Sequence, residues 1–387
     1  MEKKQVVIIA VIALLAVVIA YYLAVPRLTP RLGNEVLRRR ILETINDVKL
    51  RVEEIRGLKF PKELHVEVID TKWVLEHWAP PTKPREEEIY EEVVFKLTLL
   101  VPPNFSIVES ERKWTASFMA ATVGYTLYVV KDVFNIEDPV SKRALAHELT
   151  HILQYHYFHP EYPSSLDGKL AVLALVEGDA DYVADLYCNL TGIPPRPKVG
   201  IPVDEPYMAL KLFPYIFGEG FVEYLYSKGE WELVNNAYAN PPESTEQVLN
   251  PEKYLEEEEP VNVRISLSKY GEPLYVNTMG EYYILLILAS KIDMKKAFKA
   301  AQGWGGDYLA LYREQDKWIL CWNITWDTDL DAQEFYEAFT EALAEINASE
   351  ITCLDNKKVY RLYNYVIEVM IENKITFLRI YTVATET

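Results

Sequence analysis

The chain has 387 residues, half of them hydrophobic, which is enough for one large core or two smaller ones and excludes a disordered polymer. A formal net charge of −18 excludes sequence-independent binding to nucleic acid, which needs clustered Lys and Arg to displace phosphate counterions. Cys188, Cys321 and Cys353 are odd in number and widely spaced, so neither a disulfide framework nor a cysteine-based zinc site is implied.

The segment QVVIIAVIALLAVVIAYYLA, residues 5–24, carries no charge and has the length of about 20 apolar residues that a bilayer crossing takes. It predicts one N-terminal transmembrane helix held in the lipid bilayer. The apolar core of a cleaved signal peptide is shorter, about 7 to 15 residues. Lys3 and Lys4 precede the segment while Arg27, Arg31, Arg38, Arg39 and Arg40 follow it, which leaves its orientation open. Four N-x-[ST] sequons, at Asn104, Asn189, Asn323 and Asn347, lean towards a body outside the cytoplasm. The expectation is a single-pass membrane protein with an extracytoplasmic body.

Within residues 25–57, Val36, Ile41, Ile45, Val48 and Val52 recur at helical spacing with charges between them, predicting a helical stalk or a first domain helix. The body then runs over residues 58–387. LHVEVID alternates like a strand, APPTKP breaks the chain, and the acidic helix start REEEIYEEVV leads into FKLTLLVPP. TVGYTLYVVKD, residues 122–132, is rich in β-branched and aromatic residues and reads as a strand. Asp138 and Pro139 supply an N-cap and a proline at the first helical position, opening a helix to about Tyr157. A long Ala- and Leu-rich helix follows in SSLDGKLAVLALVEGDADYVADLYCNLTG, closed by Gly192.

Further helices are expected over residues 208–228 and 230–239, and then the loop-rich ANPPESTEQVLNPEKYLEEEEP, whose four glutamates read as a solvated face. The last third reads as helices over 279–290 and 294–302, strands DYLALYRE and KWILCWNITWD, a helix over 332–346, and a hairpin turning at Glu372, Asn373 and Lys374. With no repeat or linker, a single α+β body with a C-terminal α+β portion is the simplest architecture.

The chemistry lies in RALAHELTHILQ, residues 143–154. Positions i and i+4 of a helix share a face, so His147 and His151 can direct nitrogens at one metal ion, and Glu148 is close enough to take a proton from water that the ion activates. Catalytic zinc also needs a third protein ligand. A histidine six residues after His151 is excluded, because Tyr157 stands there; His156 and His159 fall off the metal-facing register and read as surface or cap residues. The better candidate is Glu177, which interrupts an apolar helix face among Leu173, Ala174, Val176 and Ala180 and would be costly to bury without a partner. Asp181, one turn on, can accept the second N–H of a ligating histidine. The structural alternative for these acids is a buried salt bridge or an exposed acidic turn.

HELTH followed by EGDAD resembles the thermolysin-like, or gluzincin, zinc metallopeptidases. The resemblance implies a zincin-like body in which an HExxH helix lies beside an ExxxD helix. It implies one Zn2+ bound by His147, His151 and Glu177, Glu148 as general base, and Asp181 supporting a ligand. This match covers about residues 138–190. A longer resemblance is to uncharacterised prokaryotic proteins of the same type, in VEGDA (176–180), STEQVLNPEKY (244–254) and GWGGD (303–307). Asn250 stands where those relatives are expected to have histidine.

The resemblance thus implies hydrolysis of a peptide or protein substrate, with the strand over 122–132 aligning an extended chain by backbone pairing, as expected of an endopeptidase. The donor for the tetrahedral intermediate stays open among Tyr215, Tyr224, Tyr254 and Arg313. The G-x-M-E-N signature of one exopeptidase branch is missing from the chain. The alternative is a catalytically silent, membrane-anchored binding protein on a zincin scaffold.

Overall fold

The computed structural model describes residues 34–62, 64–115, 119–264, 270–354 and 356–383. They belong to two compact units, residues 1–44 and 45–387. Among the described residues no helix is long and apolar enough to cross a membrane. This corrects the expectation of a membrane-anchored, single-pass chain: the predicted span over 5–24 lies outside the described residues, and the α+β fold is defined without it. Helix α1 (Asn34–Arg56) starts in the first unit and ends in the second, where its Ile45, Val48, Val52 and Arg56 are buried.

A small sheet comes first. Strands β1 (His65–Ile69), β2 (Ala120–Val123) and β3 (Thr126–Val130) lie in the order β1-β3-β2, with β1 parallel and β2 antiparallel to β3. Residues 122–132 therefore hold a hairpin rather than the single strand expected, because Gly124 takes a left-handed φ of 60° and turns the chain. β2 is left as an edge. Helices α2 (Thr71–His77), α3 (Glu86–Leu97) and α4 (Ile107–Thr115) connect β1 to β2. Helix α3 continues through FKL, burying Val94, Phe95 and Leu97.

Three long helices follow. α5 (Pro139–Tyr157) starts where expected, with the Asp138 carboxylate accepting from the Val140 N–H. α6 (Leu166–Thr191) is capped by Ser165 and closed by Gly192 at φ 70°. α7 (Pro206–Ala239) breaks its helical geometry at Gly229 and Glu230, the place where two helices were expected to part. The backbones of α6 and α7 touch at glycines: a Cβ built on Gly178 would sit 2.2 Å from the carbonyl of Gly218. That approach leaves α6 with buried positions along most of its length, so acids on it must be paired.

The last part is a seven-stranded antiparallel sheet with helices packed against it. In chain order come α8 (Thr245–Leu249), α9 (Pro251–Leu255), β4 (Tyr275–Asn277), α10 (Gly280–Ala289) and α11 (Met294–Ala301), then β5 (Trp304–Glu314) and β6 (Lys317–Trp326). These are followed by α12 (Asp329–Glu345), β7 (Ser349–Leu354), β8 (Lys357–Leu362), β9 (Tyr365–Glu372) and β10 (Ile375–Thr382), and the strand order is β4-β5-β6-β10-β9-β8-β7. One hydrophobic core joins α6 and α7 to α10 and the sheet, with Phe213, Phe221, Tyr282, Trp304, Trp322 and Trp326 fully buried within it.

Candidate metal centre

The turn spacing of α5 and the tight α5–α6 pairing bring three ligand atoms together. His147 Nε2 lies 3.1 Å from His151 Nε2 and 3.1 Å from Glu177 Oε2, and His151 Nε2 lies 3.5 Å from Glu177 Oε2. Ligands at zinc distances of about 2.0–2.1 Å in tetrahedral geometry are roughly 3.3 Å apart. The three edges therefore match one face of such a site, and the donor set of two imidazoles and one carboxylate fits a zinc ion. All three residues line one cavity, which would leave room for a further ligand on a bound ion.

Each imidazole has an acceptor for its other nitrogen. His147 Nδ1–H donates to Asp181 Oδ1 at 3.0 Å, and Asp181 in turn accepts from Arg143 (3.1 Å) and Arg196 (2.8 Å). His151 Nδ1–H donates to Gln154 Oε1 at 2.7 Å. Both arrangements leave Nε2 to face the centre. Without a metal the cluster behaves as an ion-pair network. Burial works against a charged His147, but the carboxylates of Asp181 and Glu177 overcome it and push its pKa up to about 10. His151 is also raised, with burial opposing and Glu177 prevailing. Burial would raise the two acids, yet the histidines hold Glu177 well below the usual carboxylate range and Asp181 down at about 2.

Glu148 is half-buried and lines the cavity, which measures about 620 Å³. Its carbonyl accepts from the Thr122 hydroxyl at 2.9 Å, which fastens edge strand β2 to the motif helix. Ala120, Ala121 and Thr122 line the cavity beside His147, His151 and Glu177, so an extended chain lying along β2 would pass the centre. Of the four donors considered from sequence, Tyr215 alone lines this cavity. Burial, reinforced by the carboxylates of Glu177, Glu148 and Asp181, raises its pKa well above 10, so its hydroxyl keeps its proton. Its carbonyl accepts from Arg196, the guanidinium that also holds Asp181. Tyr254 instead donates to the Asn240 carbonyl, and Arg313 stacks on Trp318.

The structure adds residues the sequence reading passed over. His159 is exposed, as expected of a surface residue, and it also lines the cavity with Tyr155 and Tyr162. Gln154 was given no role from sequence, although its place three residues after His151 puts it on the same face. The Asn250 amide donates to Glu281 and to the Glu246 carbonyl, and Asn250 is not among the residues lining the metal-centre cavity. The three cysteines form no disulfide.

A domain of unknown function, DUF8575, matches residues 269–379, which are the second sheet and its helices rather than α5 and α6. Comparison with curated proteins gives no match. Among solved structures the chain is similar to one from Chloroflexus aurantiacus described as a "putative hydrolase with a novel fold". The identity is 14%, over 59% of this chain and 92% of that one, with a TM-score of 0.39. So slight a likeness decides neither fold nor activity, and the functional reading stands on the centre itself.

Proposed function

We propose that the chain is a zinc-dependent peptidase of the gluzincin type, with His147, His151 and Glu177 as the metal ligands. The observation that carries this reading is the triangle of ligand atoms at 3.1, 3.1 and 3.5 Å, each imidazole already turned by an acceptor on its far nitrogen. Bound zinc would supply Lewis acidity, polarising the scissile carbonyl and making water easier to deprotonate. Glu148 takes the proton as the water oxygen attacks the carbonyl carbon, and returns it to the nitrogen as the C–N bond breaks. Tyr215, buried and protonated, donates to the oxygen on which charge develops. β2, an edge among the described strands, supplies backbone groups that hold the substrate extended, which favours an endopeptidase.

The test pairs zinc content with cleavage of an unfolded protein substrate, for the full chain and its Glu148→Gln variant. Stoichiometric zinc in both is expected, with cleavage reduced by about 10²–10⁴-fold in the variant. A folded parent that takes up no zinc would overturn the reading. Equal cleavage by both proteins would remove Glu148 from it.

A further inference from the structure

We propose that Gln154 is a positioning residue for His151, and that Asp179 and the Val176 carbonyl fix the orientation in which it acts. The inference rests on the metal-centre reading, but it is carried by a different set of contacts. Gln154 is buried between α5 and α6, with 1% of its surface exposed. Its amide nitrogen donates to the Val176 carbonyl at 2.9 Å and to Asp179 Oδ2 at 3.1 Å, while its oxygen meets His151 Nδ1 at 2.7 Å.

That orientation is forced. Rotating the amide by half a turn would set its oxygen against a carbonyl and a carboxylate, two groups that can only accept. With the oxygen held towards His151, Nδ1 has to carry hydrogen, and the lone pair needed for coordination falls on Nε2, the atom that faces His147 and Glu177. Asp181 does the same for His147 with a carboxylate; His151 receives it from a neutral amide that must itself be oriented.

The orienting acid is strongly fastened. Asp179 also accepts from the Tyr238 hydroxyl at 2.7 Å and pairs with Arg56 at 3.2 Å, both charged side chains being fully buried. The Arg56 guanidinium lies 4.2 Å from the Trp231 ring and donates to Asn235 at 2.9 Å. A buried ion pair adds little stability over well-packed apolar residues. One that meets a ligand through a single amide has a use beyond stability. Helix α6 thus serves both histidines, through Glu177 and Asp181 on one side and through Asp179 on the other.

The experiment compares zinc dissociation constants, by chelator competition, for the parent, Gln154→Met and Gln154→Glu. Visible spectra of the cobalt-loaded proteins and melting of the metal-free proteins accompany it. Gln154→Met, which keeps the shape and loses the acceptor, is expected to bind zinc about 10- to 100-fold more weakly and to change the cobalt spectrum. Gln154→Glu keeps an oxygen on His151 but sets a carboxylate against Val176 and Asp179. It is expected to melt lower while binding zinc close to the parent's affinity. Should Gln154→Met fail to fold, Gln154→Glu decides alone, because a merely structural role would lower affinity and stability together. Unchanged affinity and spectrum in Gln154→Met would overturn the inference and leave the metal centre standing. No zinc in the parent would instead defeat the metal-centre reading on which it rests.

Discussion

Tyr215 is the side chain whose role is most sharply separable from metal binding. It lines the cavity without being one of the three converging ligands, and its phenol stays protonated across the working pH range. Tyr215→Phe should leave zinc content unchanged and reduce kcat by about 10²–10³-fold, the usual loss of one oxyanion donor, with KM moving little. Steady-state kinetics beside metal analysis checks this, and a loss confined to KM would assign Tyr215 to substrate binding instead. The ligands make a second prediction. In the metal-free protein His147 holds its proton up to about pH 10, because Asp181 and Glu177 outweigh burial. Protons therefore compete with zinc throughout the neutral range, and apparent affinity should rise as pH rises towards 10. Calorimetry in buffers of different ionisation enthalpy would read the released protons. Zinc uptake at pH 7 without proton release would contradict the ion pairs of His147 with Asp181 and Glu177 in the metal-free protein.

At the level of elements, the centre depends on how closely α6 can lie against its neighbours. Gly178 follows Glu177, the proposed third ligand, and a Cβ there would stand 2.2 Å from backbone atoms of Gly218 on α7, where no flexible side chain can yield. Gly178→Ala should destabilise the fold by about 1–3 kcal/mol or more, as overpacking does, and weaken zinc binding by displacing Glu177. Urea unfolding and chelator competition measure the two effects; an unchanged denaturation midpoint would mean that the helices separate freely. Much of this arrangement was legible in the sequence. Asp138-Pro139, Gly192 and the pair Gly229-Glu230 marked the helix boundaries through local backbone chemistry, and the i,i+4 spacing placed His147 and His151 on one face. Other elements were hidden for physical reasons. β7 is exposed along its length and carries no apolar alternation, β4 has only three residues, and β8 pairs between strands distant from the motif helices. Residues 122–132 were read as one strand because β-branched residues stand on both sides of Gly124, which alone divides the two arms. Gln154 stayed hidden because its value comes from Val176 and Asp179 on another helix, a relation that no spacing along α5 contains.

Across the whole molecule, buried acids join the helical layer to the second sheet. Asp167 opens α6 and accepts from the backbone and hydroxyl of Thr245 on α8, at 2.8 and 2.6 Å, while its own N–H donates to the Thr278 carbonyl. Asp307, from GWGGD, accepts from the N–H groups of Met279 and Gly280 and from the indoles of Trp304 and Trp322. Glu246, from STEQVLNPEKY, pairs with Lys253 at 2.8 Å. Thr245 of the latter segment therefore meets the N-terminus of α6 directly, and Asp307 reaches it through Thr278, whose hydroxyl donates to the Asp307 carbonyl at 3.2 Å. Burial, helped by neighbouring acids and opposed by these hydrogen bonds, raises Asp167 and Glu246 to about 7, and burial against its four hydrogen bonds raises Asp307 to about 6. A carboxyl raised in the folded state binds a proton that the unfolded chain has released, so the stability it contributes is complete below its ordinary value near 3.8 and lost as pH rises through 7. Glu177 and Asp181, both lowered, act in the opposite sense and contribute above the ordinary range. Asp167→Asn isolates the first effect, because the amide oxygen can still accept from Thr245 but does not titrate. The unfolding free energy of the parent relative to this variant should fall by up to about 1.4 kcal/mol per pH unit between roughly pH 4 and 7 and then level off. Urea titrations of both metal-free proteins across that range measure it. A difference that does not vary with pH would show that Asp167 is already ionised in the fold, with its charge carried by the Thr245 contacts alone.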